Sequence, residues 1–260
     1  MLTLSKQISN LTTIVISKND LTGLNQTLKS FRFLSGIDPK LILVLSDYTS
    51  QNIEDLRKEY FSLNPEIYEV ESEGPYSAMN YGLEKANTDY VNFLHGGDTY
   101  SEDTSILELL NSMEDSLVGF GRMEIINPVK LNRKVYSFDK YRNILHRLGL
   151  KYIPHPATIV STHAAKSVGG FDLNYYVAAD QKMLIQLAHK CTPVVNSKVI
   201  SNFKLGGLST RPQIEIVRDF QRMSREIYGY FFGNRFLDSC IWKLNICYRV
   251  IASSILKHWK

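Results

Sequence analysis

The chain has 260 residues, of which 44% are hydrophobic and 22% charged, with 15 Gly and 8 Pro. That balance fits a soluble globular protein and excludes a disordered tail, a collagen-like repeat and a disulfide scaffold. The net charge of +4 is unevenly placed, because residues 204–260 hold ten Lys/Arg against four Asp/Glu while the rest is slightly acidic; such a bias suits an anionic membrane surface or nucleic acid.

At this length the chain can bury about three quarters of its extended-chain surface. Three cysteines, Cys191, Cys240 and Cys247, without a CxxC pair point to a reducing cytoplasm. The opening MLTLSKQISNLTTIVIS has no basic segment followed by a continuous apolar core, so no signal peptide is read. No apolar run approaches the roughly 18 residues that span a bilayer.

Thr12–Ser17 (TTIVIS) is a short β-branched run, and after Lys18-Asn19-Asp20 the residues Leu21, Leu24, Leu28 and Phe31 recur at helical spacing. Strand, loop and helix follow in that order. Leu41–Leu45 (LILVL) is continuously apolar, as in a strand buried on both faces of a parallel sheet. It ends in Ser46-Asp47-Tyr48-Thr49-Ser50, and a helix runs through Ile53, Leu56 and Tyr60. Glu66–Val70 reads as a third strand, Ala78–Ala86 as a third helix, and Tyr90–Leu94 as a fourth strand stopped by His95-Gly96-Gly97-Asp98. Repeated units of this kind predict a βαβ sheet with ligands at the carboxyl ends of its strands.

Beyond residue 118 the pattern is irregular: strand-like VGFGRMEII, a basic Tyr-rich stretch to Lys151, a strand at Ala157–Ser161 and a helix at Asp180–His189. A helix from Ser209 or Thr210 places Ile216, Phe220, Met223 and Ile227 on one face. Gly229–Asn234 interrupts it. A last helix, Phe236–Trp259, carries Leu237, Ile241, Leu244, Cys247/Tyr248, Ile251 and Ile255 as an apolar stripe flanked by Arg235, Lys243, Arg249, Lys257 and Lys260. The expected division is a catalytic domain over 1–210 and a C-terminal amphipathic segment over 211–260.

GxGxxG after the first strand, GxxxxGK[ST], GxSxG and HExxH are all missing, which leaves dinucleotide, P-loop and hydrolase readings without a motif. Polar residues at strand ends remain: Ser17-Lys18-Asn19, Asp47, Gly96-Gly97-Asp98, His155 and Asp180. Asp98 suits a turn on composition alone, or a hard divalent ion bound with substrate phosphates. Asp180, after small residues and before an amphipathic run, suits a helix cap or a general base. His155, between two prolines, is more simply structural than a ligand.

Taken together, EGPYSAMNYGLEKANTDYVNFLHGGD, HPATIVSTHAAKSVGGFDLNYYVAADQKMLIQLA and FKLGGLST resemble the family-2 glycosyltransferases, and within them the bacterial branch that builds capsule, exopolysaccharide and O-antigen sugars. The resemblance covers about residues 12–210. It implies a GT-A type α/β fold, a nucleotide-diphospho-sugar donor with a UDP-sugar favoured, and a divalent cation, Mn2+ or Mg2+. By position it gives the nucleotide-sugar to Ser17, Lys18, Asn19, Asp47, Met79, Asn80, Gly97, Gly206, Gly207 and Ser209. Asp98 matches the metal-binding aspartate and Asp180 the catalytic base, while His155, Gly169 and Gly170 fall on the acceptor side. The implied reaction is inverting single displacement onto a saccharide or lipid-linked saccharide.

Several positions depart from the family pattern. Ser77 replaces the acid of I-Y-D-A-M-N, Gly96 replaces the first acid of D-x-D, and Ser72-Glu73-Gly74 shortens the segment before the third helix. One protein carboxylate is then evident for a metal. A glycosyltransferase-like binding subunit supporting a partner enzyme is the alternative function. The C-terminal helix suits peripheral attachment to the inner face of the cytoplasmic membrane, or packing on this chain or a second copy. No nucleic-acid motif accompanies the basic tail.

Overall fold

The computed structural model describes residues 10–34, 39–101, 105–127, 132–136, 140–205 and 213–258. Residues 1–9 of the opening segment, the Gly206-Gly207-Leu208-Ser209 loop and the Thr210–Pro212 helix start lie outside the described residues.

Four strands, β1 (Leu11–Lys18), β2 (Lys40–Ser46), β3 (Glu66–Glu69) and β4 (Tyr90–His95), run parallel in the order β3-β2-β1-β4. Each apolar run alternates between two cores. Ile14 and Ile16 of β1, Ile42 and Val44 of β2, and Val91 and Phe93 of β4 face one. Val15, Leu41, Leu43, Leu45 and Leu94 face the other. Strands buried on both sides need no polar alternation, so their sequence reads as continuous hydrophobicity.

The sheet continues through β5 (Thr99–Tyr100), β6 (Val118–Asn127), β7 (Asn132–Tyr136), β8 (Thr158–Ser161) and β9 (Val194–Lys204). β8 pairs antiparallel with β4 and β6, β9 lies parallel to β6 and antiparallel to β5, and β7 is a hairpin partner of β6. The sheet is therefore mixed, as expected for the GT-A type. Helices α1 (Leu21–Ser30), α2 (Ser50–Glu59) and α4 (Ser105–Ser112) cover one face. Helices α3 (Pro75–Lys85), α6 (Thr162–Ser167), α7 (Ala179–Lys190) and α8 (Gln213–Tyr228) cover the other. A short α5 (Asn143–Arg147) and a long α9 (Arg235–His258) complete the described elements.

Ile216, Val217, Phe220 and Met223 of α8 are buried in the same core as the sheet, on the face their spacing predicts. In α9 the inward face is not the apolar stripe. Its inward residues are Asp238, Trp242 and Asn245, while Leu237, Leu244 and Tyr248 of the apolar stripe are exposed, Leu244 by 70%. Asp238 turns inward because the Arg225 guanidinium lies 2.7 Å from its carboxylate and the N–H of Phe231 donates to it. A buried ion pair and a large aromatic ring thus outweigh the apolar stripe in setting the helix's rotation.

Helix α3 sits close on the sheet because Gly82 faces β1. A Cβ there would lie 2.4 Å from Ile14 Cγ2 and 3.3 Å from Val44 Cγ2. Gly82→Ala is expected to cost about 1–3 kcal/mol through overpacking, which exceeds a helix-propensity gain of about 1 kcal/mol. Urea unfolding will read this as a lower midpoint; an unchanged one would show that α3 can shift freely.

Candidate active site

Strand order reverses between β1 and β4, so the loops leaving their carboxyl ends part and open a crevice. Ser17 and Lys18 end β1 and His95 ends β4, with the register pairing Ile16 to His95. The turn after β4 is closed by two reciprocal bonds: the N–H of Asp98 donates to His95 O at 3.0 Å, and the N–H of His95 donates to Asp98 Oδ2 at 3.2 Å. Gly97 takes φ +102°, a conformation that favours glycine, and its N–H is bound to Gly23 O and Thr27 Oγ1 of α1.

Two cavities meet at this turn. The polar one, of about 630 Å³, is lined by Lys18, Asp20, Tyr76, Met79, His95, Asp98, His155, Asp180 and Lys204 among others. The second, of about 340 Å³, is mostly apolar, with walls from Met123, Ile125, Tyr152, Ile153, Ile216 and Phe220. His95, His155, Asp180 and Phe203 line both. A third hollow of about 380 Å³ runs past Ser17, Lys18, Ser46 and Pro75.

Asp180 stands in the first turn of α7, where Ala178 is the cap residue. Its Oδ1 accepts from the Tyr76 hydroxyl at 3.3 Å and its Oδ2 from Gln181 Nε2 at 3.0 Å. Burial raises its pKa, with these bonds and the nearby His95 pulling the other way. The peptide before it is held from two sides: Tyr76 donates to Val177 O at 2.6 Å, and Val177 N–H donates to Asp219 of α8 at 3.2 Å.

Asp98 is only 2% exposed. Its carboxyl accepts backbone N–H groups from His95 and Lys204, yet burial still pushes its pKa up to about 7. His95 and His155 are both held down to about 4, chiefly by burial, so both imidazoles are neutral at pH 7. His155 stacks on Phe93 with centroids 5.5 Å apart and meets the edge of Phe171. Its buried Nε2 has no hydrogen-bond partner among the described residues.

The structure brings together Ser17, Lys18, Met79, Asp98, His155 and Asp180 as cavity-lining residues. Other expected site residues stand elsewhere. Asn80 spends its amide on Phe171, donating to its carbonyl at 2.7 Å and accepting from its N–H at 2.8 Å; it is a clamp between α3 and the loop before α7. Gly169 and Gly170 end α6, their N–H groups bonding to Lys166 O and Ala165 O, and Gly170 leaves room only for Asn80. Asn19 and Asp47 are positive-φ turn residues, Asp47 reaching the site only through an exposed ion pair with Lys18 at 3.4 Å. Gly97 shapes the turn, while its neighbour Gly96 lines the cavity.

Sequence reasoning missed His95, Tyr76, Gln181 and Lys204. Tyr76 and Lys204 stand inside quoted motif segments, GPYSAMN and FKLGGLST, and an aromatic hydroxyl or lysine beside a catalytic motif was the available signal. The donor set for a metal is thin. Among the described residues no three His, Cys, Asp or Glu side chains gather as a metal-holding group, and Asp98 is already engaged by two backbone N–H groups. A hard divalent ion takes about six oxygen ligands, so these residues do not fit a resident ion.

Known proteins were compared with this arrangement. The profile of Glycosyl transferase family 2 matches residues 12–166. An uncharacterized glycosyltransferase of Mycobacterium tuberculosis (strain H37Rv) is 28% identical over 232 residues, covering 85% of this chain and 86% of that protein. Residues 1–349 of S. aureus TarS, solved with UDP, superpose with a TM-score of 0.63 at 18% identity over 84% of this chain and 64% of that one. The mannosyltransferase PcManGT of Pyrobaculum calidifontis, solved with GDP-Man and Mn2+, gives 0.56 at 14% identity over 74% of this chain and 56% of that one. The solved structures share the fold, and the profile spans more than half of the sequence: the chain belongs to glycosyl transferase family 2.

Proposed function

We propose that this glycosyltransferase inverts configuration as it moves a sugar from a nucleotide-diphospho-sugar to a hydroxyl of a saccharide or lipid-linked saccharide, in the synthesis of a bacterial surface polysaccharide. The observation that carries the reading is that Asp98 and Asp180, far apart in sequence, line one cavity, with Asp180 also on the wall of the apolar chamber. The donor lies in the polar cavity and the acceptor enters from the apolar one. The likeness to TarS, also solved with UDP-GlcNAc, favours a UDP-sugar. Mn2+ or Mg2+ enters as part of the donor complex, as co-substrate.

The acceptor oxygen bonds to the anomeric carbon as the bond from that carbon to the diphosphate oxygen breaks. The bonding pair leaves on the phosphate, and the acceptor proton passes to Asp180. Only an ionised Asp180 can accept it. Because burial raises its pKa, turnover is lost as pH falls through a value above the ordinary carboxylate range, and is full above it.

Asp180→Asn is expected to lower transfer by about 10²–10⁴-fold while nucleotide binding, measured by thermal shift, persists. Retained turnover would remove Asp180 from the mechanism. A wild-type chain that binds nucleotide but releases no sugar would instead be a binding subunit. Tyr76→Phe removes a hydrogen bond that favours the ionised Asp180, so its acid limb in kcat/KM against pH moves up; an unmoved limb would show that this bond does not tune Asp180.

The reading extends to attachment on the inner face of the cytoplasmic membrane. No helix among the described residues is long and apolar enough to cross a bilayer. Phe232, Phe236, Leu237, Leu244 and Tyr248 are nonetheless exposed beside Arg235 and Lys243, a composition suited to an anionic leaflet. Deleting 234–260 would also remove buried Asp238 and Trp242, so point changes test this better. Leu244→Glu with Tyr248→Glu is expected to abolish salt-sensitive sedimentation with phosphatidylglycerol vesicles; sedimentation that persists would assign this face to a second copy or another protein.

A further inference from the structure

The departing nucleoside diphosphate gains negative charge as the glycosidic bond breaks, and a fixed cation beside it lowers that cost. Asp98 cannot supply this charge, and among the described residues no three His, Cys, Asp or Glu side chains gather around it to hold an ion. Lys204 is placed to do so. It is the last residue of β9, in register with Ile126 of β6. Its backbone N–H is bound by the Asp98 carboxyl, which fixes the main chain against the turn after β4. Its side-chain stem runs over that turn, with Cδ 3.7 Å from where a Cβ on Gly97 would stand. The side chain lines the polar cavity together with Lys18, Asp98 and Asp180. Lys18, the other Lys or Arg among those lining residues, is paired with Asp47.

We propose that the Lys204 ammonium binds the diphosphate of the donor and holds the leaving phosphate, supplying from the chain a positive charge that acts whether or not a divalent ion accompanies the donor. This rests on the donor reading above. Atoms balance without an added reactant: the phosphate oxygen that receives the bonding pair accepts hydrogen bonds from Lys204, and the acceptor proton remains on Asp180. Lysine acts here as a compact point charge with three rotatable donors, which suits the changing position of a departing phosphate. The stem lies over Gly97 at ordinary van der Waals distance from where a Cβ would stand, which places it against the turn.

The test is calorimetric titration of the full chain with UDP, GDP, UMP and inorganic pyrophosphate, in EDTA and in Mn2+, for wild type, Lys204→Met and Lys204→Arg. Wild type is expected to bind a nucleoside diphosphate in EDTA more tightly than UMP, with pyrophosphate competing. Lys204→Met should weaken diphosphate binding in EDTA by about tenfold or more while leaving UMP little changed, and Lys204→Arg should retain most of it. Lys204 is exposed, so neither variant threatens the core, and circular dichroism melts check that. Equal diphosphate binding by Lys204→Met and wild type in EDTA overturns the assignment. So does wild-type diphosphate binding that exists only with Mn2+, and either result leaves the glycosyltransferase reading standing. If neither nucleotide nor pyrophosphate binds wild type in either condition, both fall.

Discussion

One buried carboxylate ties the end of β4 to the end of β9 at the mouth of the crevice. Asp98 follows β4, which belongs to the parallel set begun by β1, and it binds the N–H of Lys204 at the end of β9, which belongs to the mixed half. It also closes its own turn on His95. A carboxylate that is 2% exposed is costly to bury unless hydrogen-bonded, and backbone N–H groups are what satisfies it here. The crevice has its shape because this acid cannot leave. Its structural duty and any duty toward substrate charge are therefore coupled, since a ligand that drew on the same oxygens would compete with the turn.

The electrostatics around that turn are those of a water-poor site. Burial holds both His95 and His155 neutral and raises both Asp98 and Asp180. Neutral imidazoles can donate and accept hydrogen bonds without adding charge to the cavity. Aromatic packing keeps His155 in place, laid on Phe93 and against Phe171. Tyr76 reaches both Val177 and Asp180, so one hydroxyl positions the acid and helps to keep it charged.

Much of this was legible in the sequence, and the reasons differ by element. β1, β2 and β4 are buried on both faces, so their apolar runs are continuous and their loops stand out. β9 escaped because VVNSKVISNFK mixes polar and apolar residues along a strand with only Ile200 and Ser201 buried. Asp98 and Asp180 could be placed because spaced motifs around them agree, which no single turn or cap would have allowed. Asn80, Gly169 and Gly170 belong to those motifs too, but they hold the backbone that carries the site. A motif marks positions that must be kept for the site to form, and it does not distinguish contact from support. For α9 the stripe alone left an exposed and a packed face equally open, and it is the inward turn of Asp238, paired with Arg225, and of Trp242 that leaves Leu237, Leu244 and Tyr248 exposed.

The helix after residue 212 helps to build the cavity that holds Asp180. Asp219 of α8 accepts the N–H of Val177, one turn before Asp180, and Ile216 and Phe220 line the apolar cavity. Behind them Arg147 bonds Ser224 and Gly229 and lies 3.6 Å over the ring of Phe231. Asn245 and Arg249 of α9 then bind Leu148 O, Gly149 O and the Tyr152 hydroxyl. Tyr152 lines both the apolar cavity and the groove beside α9. Contacts thus run unbroken from the exposed face of α9 to the wall beside Asp180. A surface that engages this helix would therefore bear on the apolar cavity, whose His95, His155 and Asp180 also line the cavity beside Asp98.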